Sequence, residues 1–396
     1  MYLSARRDAI TIPEYSLTGD LLSFMRCHRQ YRYQNGSSLP PARPVQLWFG
    51  EFVHGVMEMA YTMWEAKKYP LPWPSTPIEW NARLEPSTLR ENDIGELGRR
   101  VENTLAVQGK SARNAAARQS AYSRVTAAIN LIGPHLFPLV AFAEEPLTGS
   151  RSLPRAGEGQ ELRARRYGLT GVADVLTEIT MNTVATDNLI RAAIEGELRK
   201  HGLTTPESYE VIVDYKGAAR PDPDEDYWKQ HDWQVQTYAW LRSRKAAAKP
   251  VVAGILLYVN ELLPGPDDMR QMAHSFHKGT LDIAPAPGTA DFNTLNLWRD
   301  GVAGAPNLSA AFRIQRSLRV IPVTEDSQAL ALAEFDKVVL DIESNVTKEV
   351  RASNISEAWT PNCRDAATCV ACDFKSFCPS PADAGRDFVI RPPVAP

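Results

Sequence analysis

The chain has 396 residues, 44% apolar and 23% charged, with 29 Pro and 23 Gly, proportions expected of one elaborated globular domain or of two to three modules. Its 44 Lys and Arg against 47 Asp and Glu give a formal net charge of −3, which excludes a uniformly basic nucleic-acid wrapper but not a local basic groove. The most apolar long stretch, 127–143, is broken by Asn130, Gly133, Pro134, His135 and Pro138, so no membrane span of about 20 apolar residues is expected. No apolar core or small-residue cleavage site follows Arg6 and Arg7; no secretion signal is expected, and the expected setting is reducing and cytoplasmic.

Along the chain, Thr18 is a candidate N-cap for a helix over 19–33, with Leu21, Leu22, Phe24, Met25 and Tyr31 at helical spacing and Cys27 inside it. After Pro40, Pro41 and Pro44, residues 47–64 read as a second helix, apolar on most sides and carrying His54 and Glu58 one turn apart. Residues 70–160 read as helical and Pro-punctuated, without strand signal. Within them Arg99, Arg100, Lys110, Arg113, Arg118 and Arg124 face only Glu102 in sequence, a net +5 over 99–124. This stretch, echoed by Arg151, Arg155, Arg163, Arg165 and Arg166, reads either as a phosphate-contacting surface or as a solvated helix face.

Strand character runs over 163–179 and again over 209–216, where Val211, Val213 and Tyr215 alternate with Ile212, Asp214 and Lys216. A helix fits 227–245 and an apolar strand 251–260. Residues 264–310, rich in Pro, Gly and Asp, read as a loop-rich insertion. The last predicted helix, 329–346, places Leu332, Phe335, Val338, Val339 and Ile342 on one face.

The strand over 209–216 carries the sharpest chemistry. Its alternation sets Asp214 and Lys216 on one face of an otherwise apolar strand, where charges need partners. Such a pair can serve a divalent metal and the water it activates, or simply be an ion pair at the sheet rim. Asp174 ends the preceding strand, so two carboxylates can meet across neighbours. Gln234 and Tyr238 lie four apart on the following helix, and His54 could complete a nitrogen and oxygen site suited to Mn²⁺ or Mg²⁺. Trp233 on that helix reads as core, with stacking on a base the alternative. His28 reads as a surface residue, and His135, His201, His231, His274 and His277 have no ligand-like partners in sequence.

Five cysteines are an odd number for a disulfide framework, and four of them, Cys363, Cys369, Cys372 and Cys378, crowd the last tenth of the chain. Cys369-x₂-Cys372-x₅-Cys378 supplies three thiolates. Either Cys363 completes a local zinc site or Cys27 completes a centre that joins the two ends of the chain.

Taken in order, Cys27-His-Arg-Gln-Tyr, Gly-Glu-Phe-Val-His54-Gly, Gly-Val-Ala-Asp174, Asp214-Tyr-Lys216-Gly, Gln234-x₃-Tyr238 and the terminal cysteines resemble the PD-(D/E)XK nucleases, in particular the RecB-like and CRISPR-associated exonuclease branch that carries an iron–sulfur cluster. The resemblance implies an α/β, restriction-endonuclease-like core, a mixed central sheet flanked by helices, with a large helical insertion. It implies one continuous domain divided as 1–64 with Cys27 and His54, a helical insertion 65–160, the nuclease core 161–262, a loop-rich insertion 263–328, and 329–396 with the cysteines. It further implies Mn²⁺ or Mg²⁺ held by His54, Asp174, Asp214 and the Tyr215 carbonyl, with Lys216, Gln234 and Tyr238 supporting catalysis. Cys27, Cys369, Cys372 and Cys378 would hold a [4Fe–4S] cluster, with zinc the alternative.

The implied activity is metal-dependent hydrolysis of DNA at single strands or ends, in phage defence, recombination or repair. The alternative is a catalytically silent subunit serving a helicase or a CRISPR adaptation complex. The sequence departs from the pattern in the 40 positions between Asp174 and Asp214, where a short turn is usual. Asp187 therefore competes for the first acidic position, although it looks like the N-cap of a helix over 187–201.

Overall fold

The computed structural model describes residues 12–35, 45–78, 89–153, 164–223, 228–299, 308–352 and 355–363, with 369, 372, 374, 375 and 378. Its strands β1 (Glu14–Ser16), β2 (Val140–Ser152), β3 (Arg166–Thr180), β4 (Ser208–Lys216), β5 (Val251–Tyr258) and β6 (Leu318–Pro322) make one mixed sheet. β4 and β5 pair in parallel and are buried on both faces, which suits their β-branched and leucine-rich sequences. β6 closes one side antiparallel to β5.

The long strand β3 organises the other side. One of its edges pairs with β2 between Arg166 and Thr177. Its opposite edge is shared: Gly168–Thr170 pairs with β1 in parallel, and Val175–Thr180 pairs with β4 antiparallel. Between those two ladders, residues 171–174 have no strand partner on that edge among the described residues, and Asp174 stands at the point where the neighbours diverge.

Helices cover both faces. They are α1 (Leu22–Arg26), α2 (His28–Gln34), α3 (Val45–Lys67), α4 (Ile94–Val107), α5 (Ala115–Ala127), α6 (Gly133–Leu136), α7 (Leu189–Lys200), α8 (Lys229–Ser243), α9 (Val259–Leu262), α10 (Pro266–Lys278), α11 (Ala290–Leu297), α12 (Ala310–Ser317), α13 (Glu325–Ala352) and α14 (Ile355–Ala358). On one face Phe52, Val53, Val56 and Met57 of α3, with Tyr122 and Val125 of α5, bury Val211, Val213, Ile255 and Leu257. On the other, Val235 and Ala239 of α8, Phe335, Val339 and Ile342 of α13, and Leu17, Leu21 and Phe24 enclose Ile212, Leu256 and Leu176. Each fully buried aliphatic side chain contributes about 1.5–3 kcal/mol, so these two apolar layers carry most of the fold's stability.

Several expectations need correction. The 65–160 segment is not wholly helical, because residues 140–152 form β2. Its signal is hidden because, although exposure alternates along β2, the inward positions include Glu145, Gly149 and Arg151 and only Leu147 is fully buried; Pro146 is tolerated because β3 is the one strand neighbour among the described residues. The 263–328 segment is not mainly loop. Its Gly, Pro and Asp act as helix ends: Asp268 accepts from the Gly265 N–H at 2.8 Å, and Gly279 closes α10 with φ of 71°. α10 and α11 enclose a small core of Met269, Met272, Leu295, Leu308 and Phe312.

The first helix is interrupted at Cys27, whose backbone is extended (φ −163°, ψ 116°), and the His28 N–H donates to Asn362 Oδ1 at 2.8 Å. His28 is half-buried rather than a plain surface residue, stacked on Phe24 with ring centroids 3.9 Å apart. The cap of α7 is Asn188, whose side chain accepts from the Ile190 and Arg191 amides; Asp187 is exposed beside it. Arg155, Arg163, the Arg6–Arg7 stretch and Pro40–Pro44 lie outside the described residues.

Candidate active site

The gap in the β3 edge is filled by side-chain chemistry. The register Val175 with Val213 brings Asp174 beside Asp214 despite the 40 positions between them, because the intervening chain folds into α7 and returns as an antiparallel neighbour. Asp174 Oδ2 accepts the Tyr215 N–H at 2.9 Å, taking the place a strand carbonyl would occupy. His54 reaches in from α3, with Nδ1 at 3.5 Å from Asp174 Oδ1 and Nε2 at 3.3 Å from the Tyr215 carbonyl. Imidazole, carboxylate and carbonyl, each a donor type for a small cation, thus lie side by side, the two oxygens facing different ring nitrogens.

Lys216 forms an ion pair with Asp214 and sits 3.5 Å from Gln234 Oε1. Asp214 is only 5% exposed, so this lysine and not bulk water is its principal neighbour. Burial pushes the Asp174 carboxyl well above the usual range, the nearby Asp214 charge adds to that, and the Tyr215 amide opposes it. Burial lowers His54, keeping its ring neutral and able to donate a lone pair. Tyr238 is pushed up to about 12, chiefly by burial. Gly171 makes room for it, since a Cβ there would lie 2.4 Å from Tyr238 Cε1.

A cleft of about 640 Å³ opens over these groups, lined on its far side by Thr18, Leu22, Thr148 and Thr170, a size that accepts a nucleotide-sized ligand. A larger cavity of about 1060 Å³ lies across α8, lined by Asp232 and Gln236 rather than by His231, Gln234 and Tyr238. Its arginines are engaged structurally: Arg220 and Arg319 both pair with Asp282. His54 and Asp174, two of three grouped residues that could hold a metal ion, line the smaller cleft instead.

Two residues of the site escaped the sequence reading. His231 lines the cleft, and burial together with the Lys216 charge pushes it down to about 4. Its spacing three before Gln234 was a usable signal, since i and i+3 share a helix face. Glu144 of β2 brings a carboxylate oxygen within 4.8 Å of ligand atoms of His54 and Asp174; with β2 unread, no signal pointed to it. Asp187, the competitor for the first acidic position, lies on the approach to α7 beside His135, whereas Asp174 is in the cleft.

The basic stretch is not a free cationic face. Arg99 and Arg100 both pair with Glu96, Lys110 with Glu51, Arg118 with Glu102 and Arg124 with Asp268. Arg118 is 6% exposed, which removes it from any phosphate-contacting surface; Arg113 is exposed. Trp233 is core, with Nε1–H donating to the Ala331 carbonyl at 2.7 Å.

Just past α1, whose first residue Leu22 lines the cleft, Cys27 joins Cys363, Cys369, Cys372 and Cys378 in lining one small cavity of about 30 Å³. Cys27, Cys363 and Cys369 are buried together, and the Cys369 thiol faces the Cys363 carbonyl at 4.0 Å. Burial pushes the Cys378 thiol up to about 11, so a thiolate there requires a cation.

Residues 203–379 match the family model of the PD-(D/E)XK nuclease superfamily. The matched span holds Asp214, Lys216, Gln234, Tyr238 and the terminal cysteines, while His54, Glu144 and Asp174 lie upstream of it. The central mixed sheet flanked by helices is the restriction-endonuclease-like architecture of that superfamily. No curated protein matches the chain. Among the described residues no helix is long and apolar enough to cross a membrane.

Proposed function

We propose that the protein is a metal-dependent deoxyribonuclease of the RecB-like branch, hydrolysing phosphodiester bonds at DNA ends or in single strands. The observation that carries this reading is the convergence of His54, Asp174, Asp214, the Tyr215 carbonyl and Lys216 at one mouth of one cleft. This donor set, one neutral imidazole with hard oxygens, suits Mn²⁺ or Mg²⁺. When bound, such an ion supplies Lewis-acid activation of water and of the scissile phosphate.

The protein's own residues do the rest. Asp174 is fixed by the Tyr215 amide and His54 by its position on α3, so the donors are held in place before substrate arrives. Lys216 supplies a fixed positive charge where the phosphorane gathers negative charge, and Gln234 helps set the direction of its ammonium. Tyr238, buried and protonated at neutral pH, is a hydrogen-bond donor within the cleft. A silent DNA-gripping subunit has no physical need of an Asp–Lys pair buried beside a second carboxylate, which favours catalysis over that alternative.

The terminal thiols support a second, structural centre. The resemblance favours a [4Fe–4S] cluster on Cys27, Cys369, Cys372 and Cys378. Zinc on the same thiols is the alternative.

Purified protein incubated with labelled single- and double-stranded DNA should degrade one or both with Mn²⁺ or Mg²⁺ and neither with EDTA. Asp214→Ala and Lys216→Ala should lower the rate by at least about a hundredfold. Degradation that survives EDTA or both substitutions rejects the proposal.

A further inference from the structure

Glu144 belongs to none of the motifs and does not line the cleft, yet it lies beside His54 and Asp174, which do. Ala143 pairs with Val175 and Glu145 with Ala173, which sets Glu144 across β2 and β3 from Asp174. Glu144 has a φ of 50°, the left-handed region in which glycine or asparagine is the usual occupant. A glutamate held there within a strand gains nothing from the ladder. Its carboxylate comes within 4.8 Å of ligand atoms of both His54 and Asp174, so α3, β2 and β3 each bring one donor to a single point.

From this juxtaposition we infer that Glu144 is a further ligand of the divalent cation at this site, completing a His54–Glu144–Asp174 triad. The inference rests on the metal-dependent reading above and deepens it. Charge supports it: Glu144, Asp174 and Asp214 carry three formal negative charges, Lys216 offsets one, and a divalent cation offsets the other two. Position supports it too. Asp214 is buried and Asp174 partly so, whereas Glu144 is exposed, which makes it the most open of the three carboxylates. Ion affinity at oxygen sites rises with the number of charged ligands.

The test is titration of the metal-free full chain with Mn²⁺ alone, followed by calorimetry and by the EPR signal of free Mn²⁺. The variants are Glu144→Gln, Asp174→Asn and Glu58→Gln, the last a neighbouring acid whose charge acts on Glu144. Glu144→Gln should weaken Mn²⁺ binding by about tenfold or more, and should shrink the rise in melting temperature that saturating Mn²⁺ gives the wild type. Glu58→Gln should stay within about twofold of wild type, a span below 0.5 kcal/mol. An unchanged melting temperature without metal shows that Glu144→Gln is folded. Wild-type affinity in Glu144→Gln, with binding lost in Asp174→Asn, overturns the inference and leaves the metal-dependent reading intact. Absence of Mn²⁺ binding by the wild type overturns both.

Discussion

His231 sits one helical turn from Gln234 and beside Lys216, and its ring is held uncharged by burial and by that ammonium. Its folded value of about 4 lies below the ordinary 6.5, so between those limits the unfolded chain binds the extra proton. The stability it contributes is complete above pH 6.5 and is lost as pH falls toward 4. Asp174 acts in the opposite sense. Its raised carboxyl holds a proton longer in the folded state, so the metal-free fold loses stability as pH rises through that folded value. Comparing wild type with His231→Gln isolates the histidine. Urea unfolding at pH 5, 6 and 7 should show a difference changing by up to about 1.4 kcal/mol per pH unit. A difference constant over that range means that His231 is solvated and titrates normally.

At the scale of elements, the cleft depends on how closely α8 approaches the sheet. Glycines mark the closest approaches: Gly254 of β5 lies beneath Val235, Gly149 of β2 beneath Leu241 and Trp240, and Gly171 of β3 beneath Tyr238. Adding a methyl at any of them pushes the helix outward at a cost of about 1–3 kcal/mol. Only Gly171 touches a side chain of the cleft. Gly171→Ala should therefore lower DNA cleavage by tenfold or more relative to Gly149→Ala, while thermal unfolding reports comparable losses of stability for the two. Equal activity in the two variants would mean that the seat of Tyr238 is unimportant. The same logic explains why α7 is accommodated between the two aspartate strands: an insertion beyond the last ladder pair, Thr180 with Ser208, leaves the register at Asp174 and Asp214 untouched.

On the scale of the whole molecule, the first and last described segments are joined by more than thiols. Arg32 and Glu349 make a bidentate ion pair at 2.6 Å with almost no exposure. The Trp359 indole also donates to Glu349, the Arg29 side chain donates to the Ser356 carbonyl at 3.1 Å, and Tyr15 donates to Glu343. A cluster on Cys27 and Cys378 would reinforce a junction that already exists, so its loss should not dismantle the active site. Protein made anaerobically should carry iron and acid-labile sulfide, or one zinc, and Cys27→Ser should lose that content. Cooperative unfolding should persist in Cys27→Ser, whereas Glu349→Gln should cost about 3–5 kcal/mol in urea unfolding because it strands the Arg32 charge. Loss of cooperative folding in Cys27→Ser would return the thiol centre to the principal structural role.

The residues that declare themselves in sequence are those whose chemistry conflicts with their surroundings. Asp214 and Lys216 stand out on an apolar strand, His54 on an apolar helix, and three cysteines within ten positions; the sheet strands β3, β4 and β5 and the helices α3, α8 and α13 follow from apolar periodicity. Tertiary structure alone decided the remainder. β2 alternates in exposure, but its inward positions include Glu145, Gly149 and Arg151, so no apolar pattern marks it and Glu144 could not be placed beside Asp174 before the register was known. The arginines of 99–124 look like a cationic face in sequence, but the acids that neutralise them include Glu51 and Asp268, remote positions brought in by packing of α3 and α10 against this region. Sequence distance sets neither ion pairing nor strand pairing, because both are fixed by which apolar faces the helices bury against the sheet.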